Sequence, residues 1–188
     1  MRKIFISFIC ACSLFGGEVI SKTATISQEG KAIGEAEILT PIEVISSEGG
    51  VAKIKIKGVV SENYQLQIQK NMKEAEIYAT FTNEAETNFK KGKKLEDDYG
   101  EIWYEVEGIY EVGSDAVAKD AKALYAEAKS TYEQICSACH RLHEPNSFTA
   151  NQWPANLQEM INANYVALEG DELNLIVKYL QHNAKKPE

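Results

Sequence analysis

Residues 136–140 read Cys136-Ser137-Ala138-Cys139-His140, two thiols and an imidazole within five positions. Three chemistries use such a cluster: structural zinc binding, dithiol–disulfide exchange and covalent attachment of haem. A structural zinc needs four ligands. Beyond residue 17 the chain offers only Cys136, Cys139 and three histidines, and the three clustered groups are too crowded to face one tetrahedral ion. A redox Cys-x-x-Cys ordinarily opens a helix after a strand, whereas this one closes a helical pattern and is followed by further helices. Haem attachment fits each feature. Cys136 and Cys139 would become thioethers to the porphyrin vinyls, and His140 would turn beneath the ring to take the iron. The expected cofactor is one covalent haem c.

An iron held by His140 leaves the opposite axial position to be assigned. His143 is three residues away on the same side and reads as a loop histidine. The distal candidates are Met160, on an apolar helical face twenty residues after His140, His182 near the end of the last helix, or no protein ligand at all. Met72 belongs to the other half of the chain. Trp153, with Tyr125 and Tyr132, is expected to wall the haem pocket, although plain core packing explains the two tyrosines equally well. No His, Arg or carboxylate grouping near the motif supplies acid–base help, and Arg141 with Glu144 reads as a solvated ion pair. The motif therefore points to an electron carrier rather than an enzyme. The alternative is a haem-based protein that binds or senses a small ligand at an open distal site.

These residues must be positioned by two stretches of different periodicity. From about Lys22 to Val112 the pattern is that of strands. "VAKIKIKGVV" alternates Ile54 and Ile56 with Lys53, Lys55 and Lys57, and Glu48-Gly49-Gly50 before it marks a hairpin turn. The alternation returns in "AEIYATF" (75–81) and in "EIWYEVEGIYEV" (101–112), the latter after the turn Asp98-Tyr99-Gly100. Residues 61–74 are ambiguous. Short strands with frequent turns predict a small antiparallel barrel or sandwich. After Gly113 the period changes. Ser114 is placed to cap a helix of about six turns whose stripe Val117, Ala121, Leu124, Tyr125, Ala128, Tyr132 and Ile135 runs into Cys136. A second helix is expected from Pro154, carrying Leu157, Met160 and Ile161, and a third after Gly170, capped by Asp171 and bearing Leu173, Ile176, Val177 and Leu180.

Residues 1–17, "MRKIFISFICACSLFGG", combine Arg2 and Lys3 with a short apolar run and small exit residues, the pattern of a secretory signal. The run is too short for a comfortable membrane span, for which about 20 apolar residues are needed, and no later stretch is apolar enough. The expectation is an exported, soluble, periplasmic protein. "ICAC", ending at Cys12, loosely mimics a lipoprotein cleavage site, but Cys10 within it and the short run ahead oppose a lipid anchor. The chain carries 20 basic and 28 acidic residues, net −8, and loss of Arg2 and Lys3 with the signal deepens the deficit by two. Such a surface repels phosphate backbones and disfavours nucleic acid. It suits a partner with a basic docking patch.

The motif and its surroundings carry a resemblance. "CSACH", "FTANQWPANLQEM" and "VKYLQHNAKK", with the lead-in "WYEVEGIYEVGSDAV" and "LYAEAKSTYEQICSACH", closely resemble the C-terminal mono-haem domain of the pentahaem cytochromes that serve periplasmic trimethylamine-N-oxide reductases. "GEAEILTPIEVISSEGGVAKIKIKGVV" is more loosely similar to the SH3-like module ahead of that haem. The resemblance implies an α+β fold: an SH3-like antiparallel β domain over 18–113, then an α-helical cytochrome c-type haem domain over 114–188. It implies transfer of single electrons, within anaerobic respiration, to a periplasmic molybdenum enzyme reducing N- or S-oxides. The family's membrane-anchored tetrahaem part has no counterpart here, with no second Cys-x-x-Cys-His and no spanning stretch, so an upstream electron donor such as a quinol-oxidising cytochrome is expected. The family pattern places a histidine one step after His182, where this chain has Asn183, whereas Met160 falls on a methionine of the pattern. The resemblance thus tilts the distal assignment toward Met160.

Overall fold

Alternation of apolar and polar residues writes most of this chain as strand. The computed structural model describes residues 17–186, so the expected signal lies almost wholly outside the described residues. Ten strands come first: β1 (Val19–Ile20), β2 (Ala24–Gln28), β3 (Lys31–Ala36), β4 (Glu43–Glu48), β5 (Val51–Ser61), β6 (Gln67–Gln69), β7 (Ile77–Phe81), β8 (Lys90–Glu96), β9 (Ile102–Gly113) and β10 (Val117–Ala118). Three helices follow: α1 (Lys122–Cys136), α2 (Trp153–Asn162) and α3 (Gly170–His182). The expected hairpin forms β4 and β5. Gly49 and Gly50 make its turn with φ of 59° and 83°, the pair of left-handed residues that a two-residue hairpin turn demands and glycine supplies without strain. Ambiguous residues 61–74 contain the short strand β6.

β5 and β9 are the spine. They pair antiparallel along their whole length, from Val51 opposite Gly113 to Ser61 opposite Trp103. β6, β7, β3 and β2 continue from β5 and return to β9 at Ser27–Glu111, closing a six-stranded barrel with β4 and β8 as flanking strands. The alternation puts Ala52, Ile54 and Ile56 of β5 inside with Ile26, Ile33, Ile68, Phe81, Val106 and Tyr110, while Lys53 and Lys57 stay wet. Closure needs close backbone approach between β3 and β7. A Cβ on Gly34 would sit 2.2 Å from the Thr80 carbonyl oxygen, so only glycine fits there.

This architecture corrects the expected α+β division into a small SH3-like domain and an α-helical cytochrome domain. Among the described residues the fold is mostly β, a closed six-stranded barrel with three short α-helices of 15, 10 and 13 residues. The long strands explain it. With 11 and 12 residues, β5 and β9 are long enough to curl a sheet onto itself, and the strands before and after them supply the rest of the wall. Nor do the helices enclose a separate core. Ala128, Tyr132, Leu157, Leu175, Ile176 and Leu180 share their apolar cluster with Val19, Ile38 and Leu39, which belong to the β part. The first helix also starts later than its stripe predicts. Val117–Ala118 pairs with Val19–Ile20, the Asp115 carboxylate is taken by Lys22 at 2.5 Å, and Asp120 accepts the Lys122 amide N–H at 2.9 Å to open the helix. Among the described residues no helix is long and apolar enough to cross a membrane.

Candidate functional site

The apolar stripe of α1 turns Ala128 and Tyr132 into the interior, and Cys136, one turn after Tyr132, ends the helix half-buried. Ser137 to His140 then leave the helix exposed. Both Cys136 and Cys139 are free thiols, and burial pushes the Cys136 thiol above its ordinary value. His140 Nδ1 lies 2.8 Å from the Arg141 carbonyl oxygen. A carbonyl can only accept, so Nδ1 is the donor here, and in the neutral imidazole that leaves the lone pair on Nε2. That is the tautomer a metal-ligating imidazole uses, fixed by a backbone partner on its other nitrogen.

Two buried aromatics hold the chain leaving the motif. The Tyr132 hydroxyl donates to the His143 carbonyl at 2.7 Å, and Trp153 Nε1 donates to the Pro145 carbonyl at 2.8 Å. Their rings meet edge to face at 6.1 Å, Trp153 meets Phe148 at 4.9 Å, Phe148 meets His143 at 5.2 Å, and His143 meets His140 at 5.7 Å. An unbroken run of rings therefore links the interior to His140. Trp153 lies in the middle of that run. His143, read from sequence as a plain loop residue, is exposed yet packs its ring between His140 and Phe148.

α2 carries Met160 half-buried near its C-terminal end. One turn earlier on the same face stands Asn156, whose Nδ2 is buried without a hydrogen-bond partner in the protein. An orphaned buried donor is costly unless something accepts from it. His182 is placed elsewhere. Its ring lies 4.8 Å from Tyr125, which precedes Cys136 by eleven residues, about 16 Å along the helix. Burial, then the positive charge of Lys70, holds the His182 imidazole below its ordinary value, against the pull of Glu76. The structure thus gathers Cys136, Cys139, His140, Tyr132 and Trp153 at one end of α1 and puts Tyr125 and His182 toward the other.

Residues that sequence reasoning missed clasp this layer to the barrel. Asn151 Oδ1 accepts from the Ala75 amide at 2.7 Å, and its Nδ2 donates to the Lys73 carbonyl at 2.9 Å. Gln152 caps its own turn through Thr149, and Gln181 of α3 donates to the Ala150 carbonyl. "ANQW" is specific because each residue has a partner, but those of Asn151 lie more than seventy positions away, where no spacing rule reaches. Lys178 of α3 is 2% exposed, pairs with Glu37 at 3.0 Å and donates to the Ile77 carbonyl. Beside it Lys70 bridges Glu74 and Glu76 at 3.0 and 2.9 Å.

The donor set fits a covalently held haem: two thiols at the required spacing, an imidazole in the ligating tautomer, aromatic rings beside it and an unmatched donor next to a thioether. It does not fit zinc. Among the described residues no three His, Cys, Asp or Glu side chains gather as a metal site.

Comparison with known proteins finds distant similarity to cytochrome c-type proteins. The chain is 24% identical over 156 residues to the cytochrome c-type protein TorC of Escherichia coli O157:H7 and of strain K12, covering 82% of this chain and 40% of theirs. It is 28% identical over 83 residues to the cytochrome c-type protein TorY of Haemophilus influenzae, covering 44% of this chain and 22% of that one. The chain is a distant relative of cytochrome c-type proteins. It spans about two fifths of the length of the TorC relatives. No protein-family model and no solved structure matches it.

Proposed function

We propose that this chain is an exported, periplasmic mono-haem c-type cytochrome that relays single electrons from an upstream donor to a molybdenum enzyme reducing an N- or S-oxide. One observation carries the reading: Cys136, Cys139 and His140 stand together at the exposed end of α1 with His140 Nε2 left as the open nitrogen. A haem c, when bound, supplies one-electron iron chemistry. Cys136 and Cys139 would hold it as thioethers and His140 would be the proximal ligand, kept in tautomer by the Arg141 carbonyl. Met160 is the proposed distal ligand, because it shares a helix with Trp153, whose ring closes on the loop after the motif. A thioether there favours a higher reduction potential than a second imidazole would. Trp153 and Tyr132 fix the loop after His140 through two backbone carbonyls and keep water from that side. Residues 1–17 act as the export signal, and Gly113 divides a barrel scaffold from the segment that presents the cofactor. The acceptor is proposed from the resemblance of "CSACH", "ANQW" and "KYLQ" to cytochromes that serve N-oxide reductases. Since such a reduction consumes two electrons and two protons, the carrier delivers twice per oxide.

Mass spectrometry of the chain made in a host competent in cytochrome c maturation tests the assignment. The expected mature mass is that of the polypeptide plus one haem, and Cys136→Ala with Cys139→Ala abolishes the adduct. Met160→Ala is expected to change the low-spin ferrous and ferric spectra and to open the iron to carbon monoxide, while His182→Ala leaves them as they are. A colourless protein of bare polypeptide mass sinks the reading. Rapid carbon monoxide binding by the unaltered protein would favour the open-site alternative.

A further inference from the structure

We propose a second functional surface: a basic groove on the barrel wall that receives an extended, acidic segment of a partner protein as a strand beside β8. The groove is about 1180 Å³ in volume and runs between β8, residues 105–107 of β9, residues 57–59 of β5 and the loop 70–74. Its walls carry Lys57, Lys70, Lys73, Lys90, Lys91 and Lys186 against three glutamates. On a chain with 28 acidic and 20 basic side chains, this local inversion of sign is the place where a negatively charged ligand is attracted instead of repelled.

Three features select an extended peptide as occupant. The volume exceeds that of an ordinary small-molecule pocket. β8 is the last strand of the sheet, hydrogen-bonded among the described strands only to β9, so one row of its backbone groups can accept another strand. Leu95 and Met72 add apolar side chains to the lining. A strand alternating acidic and apolar residues would set its carboxylates on the face of β8 that carries Lys91 and Lys94 and its apolar side chains on the face that carries Leu95, where the stem of Lys90 also lies. Lysine on an edge strand also deters pairing with a second copy of the same chain, which leaves the edge to a ligand of opposite charge. The groove joins the haem-motif side through Asn151, which grips its rim at Lys73 and Ala75. A partner seated there would touch the loop that leads to Trp153.

The test is fluorescence anisotropy on the full chain made in a cytochrome-maturing host, with a labelled peptide alternating Glu and Val as probe and a Lys–Val peptide as its counterpart. The Glu–Val peptide is expected to bind, and to weaken strongly between about 0.02 and about 0.2 M ionic strength as attraction is screened. Lys90→Glu with Lys91→Glu is expected to raise its Kd by roughly tenfold or more, and the neutral pair Lys90→Gln with Lys91→Gln by less. Lys119→Glu with Lys122→Glu, the same charge change outside the groove, leaves the Kd near that of the unaltered chain, and circular dichroism checks that each variant is folded. Equal binding of the two peptides, or an unchanged Kd in the Lys90/Lys91 variants, overturns the proposal. So does displacement of the probe by tripolyphosphate as readily as by unlabelled peptide, which would make the groove a small-anion site. None of these readouts depends on haem, so failure here and failure of the electron-transfer reading are distinguishable.

Discussion

At the scale of single residues, the pair Glu74 and Lys70 makes a prediction with a definite sign. Burial pushes the Glu74 carboxyl up, but hydrogen bonding and charge from Lys70 outweigh it and hold the group below its ordinary 4.5. An ionised Glu74 therefore stabilises the fold fully above about pH 4.5, and that contribution is lost as pH falls through the lower folded value. Lys70→Met leaves Glu74 and Glu76 buried beside each other with their shared cation gone. His182 and Lys186 stay near as bases. The variant is expected to lose about 2 kcal/mol at pH 7, with the gap to the unaltered protein narrowing as pH drops below about 4.5, where protonation relieves the carboxylates. Urea unfolding at neutral and acid pH measures both; a gap that widens on acidification would reverse the argument. Tyr132→Phe makes a second residue-scale test. It removes one hydroxyl and leaves the His143 carbonyl to water, so about 1 kcal/mol of stability is expected to go, with a larger change in the environment of His140 read by imidazole NMR shifts.

At the scale of elements, Gly34 decides whether β3 and β7 can close the barrel. Gly34→Ala forces a methyl against the Thr80 backbone at 2.2 Å, where no flexible side chain can yield, and a loss of about 3 kcal/mol is expected by thermal or chemical unfolding. Alanine tolerated at no cost would mean the strands are not held that close. The alternation of Ile54 and Ile56 with lysines, the two glycines at 49–50 and the turn at 98–100 were legible because each is a local rule obeyed locally. Those signals allowed a barrel or a sandwich, and the choice between them was not legible. Closure depends on β5 and β9 pairing over their whole length and on β2 meeting β9 at one position, Ser27–Glu111, and no window of sequence contains both partners. The same limit moved the start of α1. Val117 fits the helical stripe but, with Ala118, pairs with β1, almost a hundred residues earlier. The Cys-x-x-Cys-His spacing was legible in full, since it is written within five residues, whereas the clasp by Asn151 and the separation of His182 from it are properties of the folded chain alone.

For the molecule as a whole, barrel and helices are one cooperative object rather than a scaffold with a detachable cofactor module. Val19, Ile38 and Leu39 complete the apolar cluster between the helices, Lys178 drives its ammonium from α3 onto Ile77 and Glu37, and Asn151 holds the loop before β7. A fragment of residues 114–188 would expose the side of Leu175, Ile176 and Leu180 that the β part covers. Helices of 10 to 15 residues are marginal in water without such packing. The fragment is therefore expected to show little helical circular dichroism when made without cofactor, while the whole chain unfolds in a single transition. Lys178→Ala removes a stem buried at the seam together with its ion pair, and a loss of about 3 kcal/mol is expected. If that variant instead melted in two separate steps with the barrel unaffected, the helices and barrel would be independent units, and the groove beside β8 could not communicate with the loop that carries Trp153.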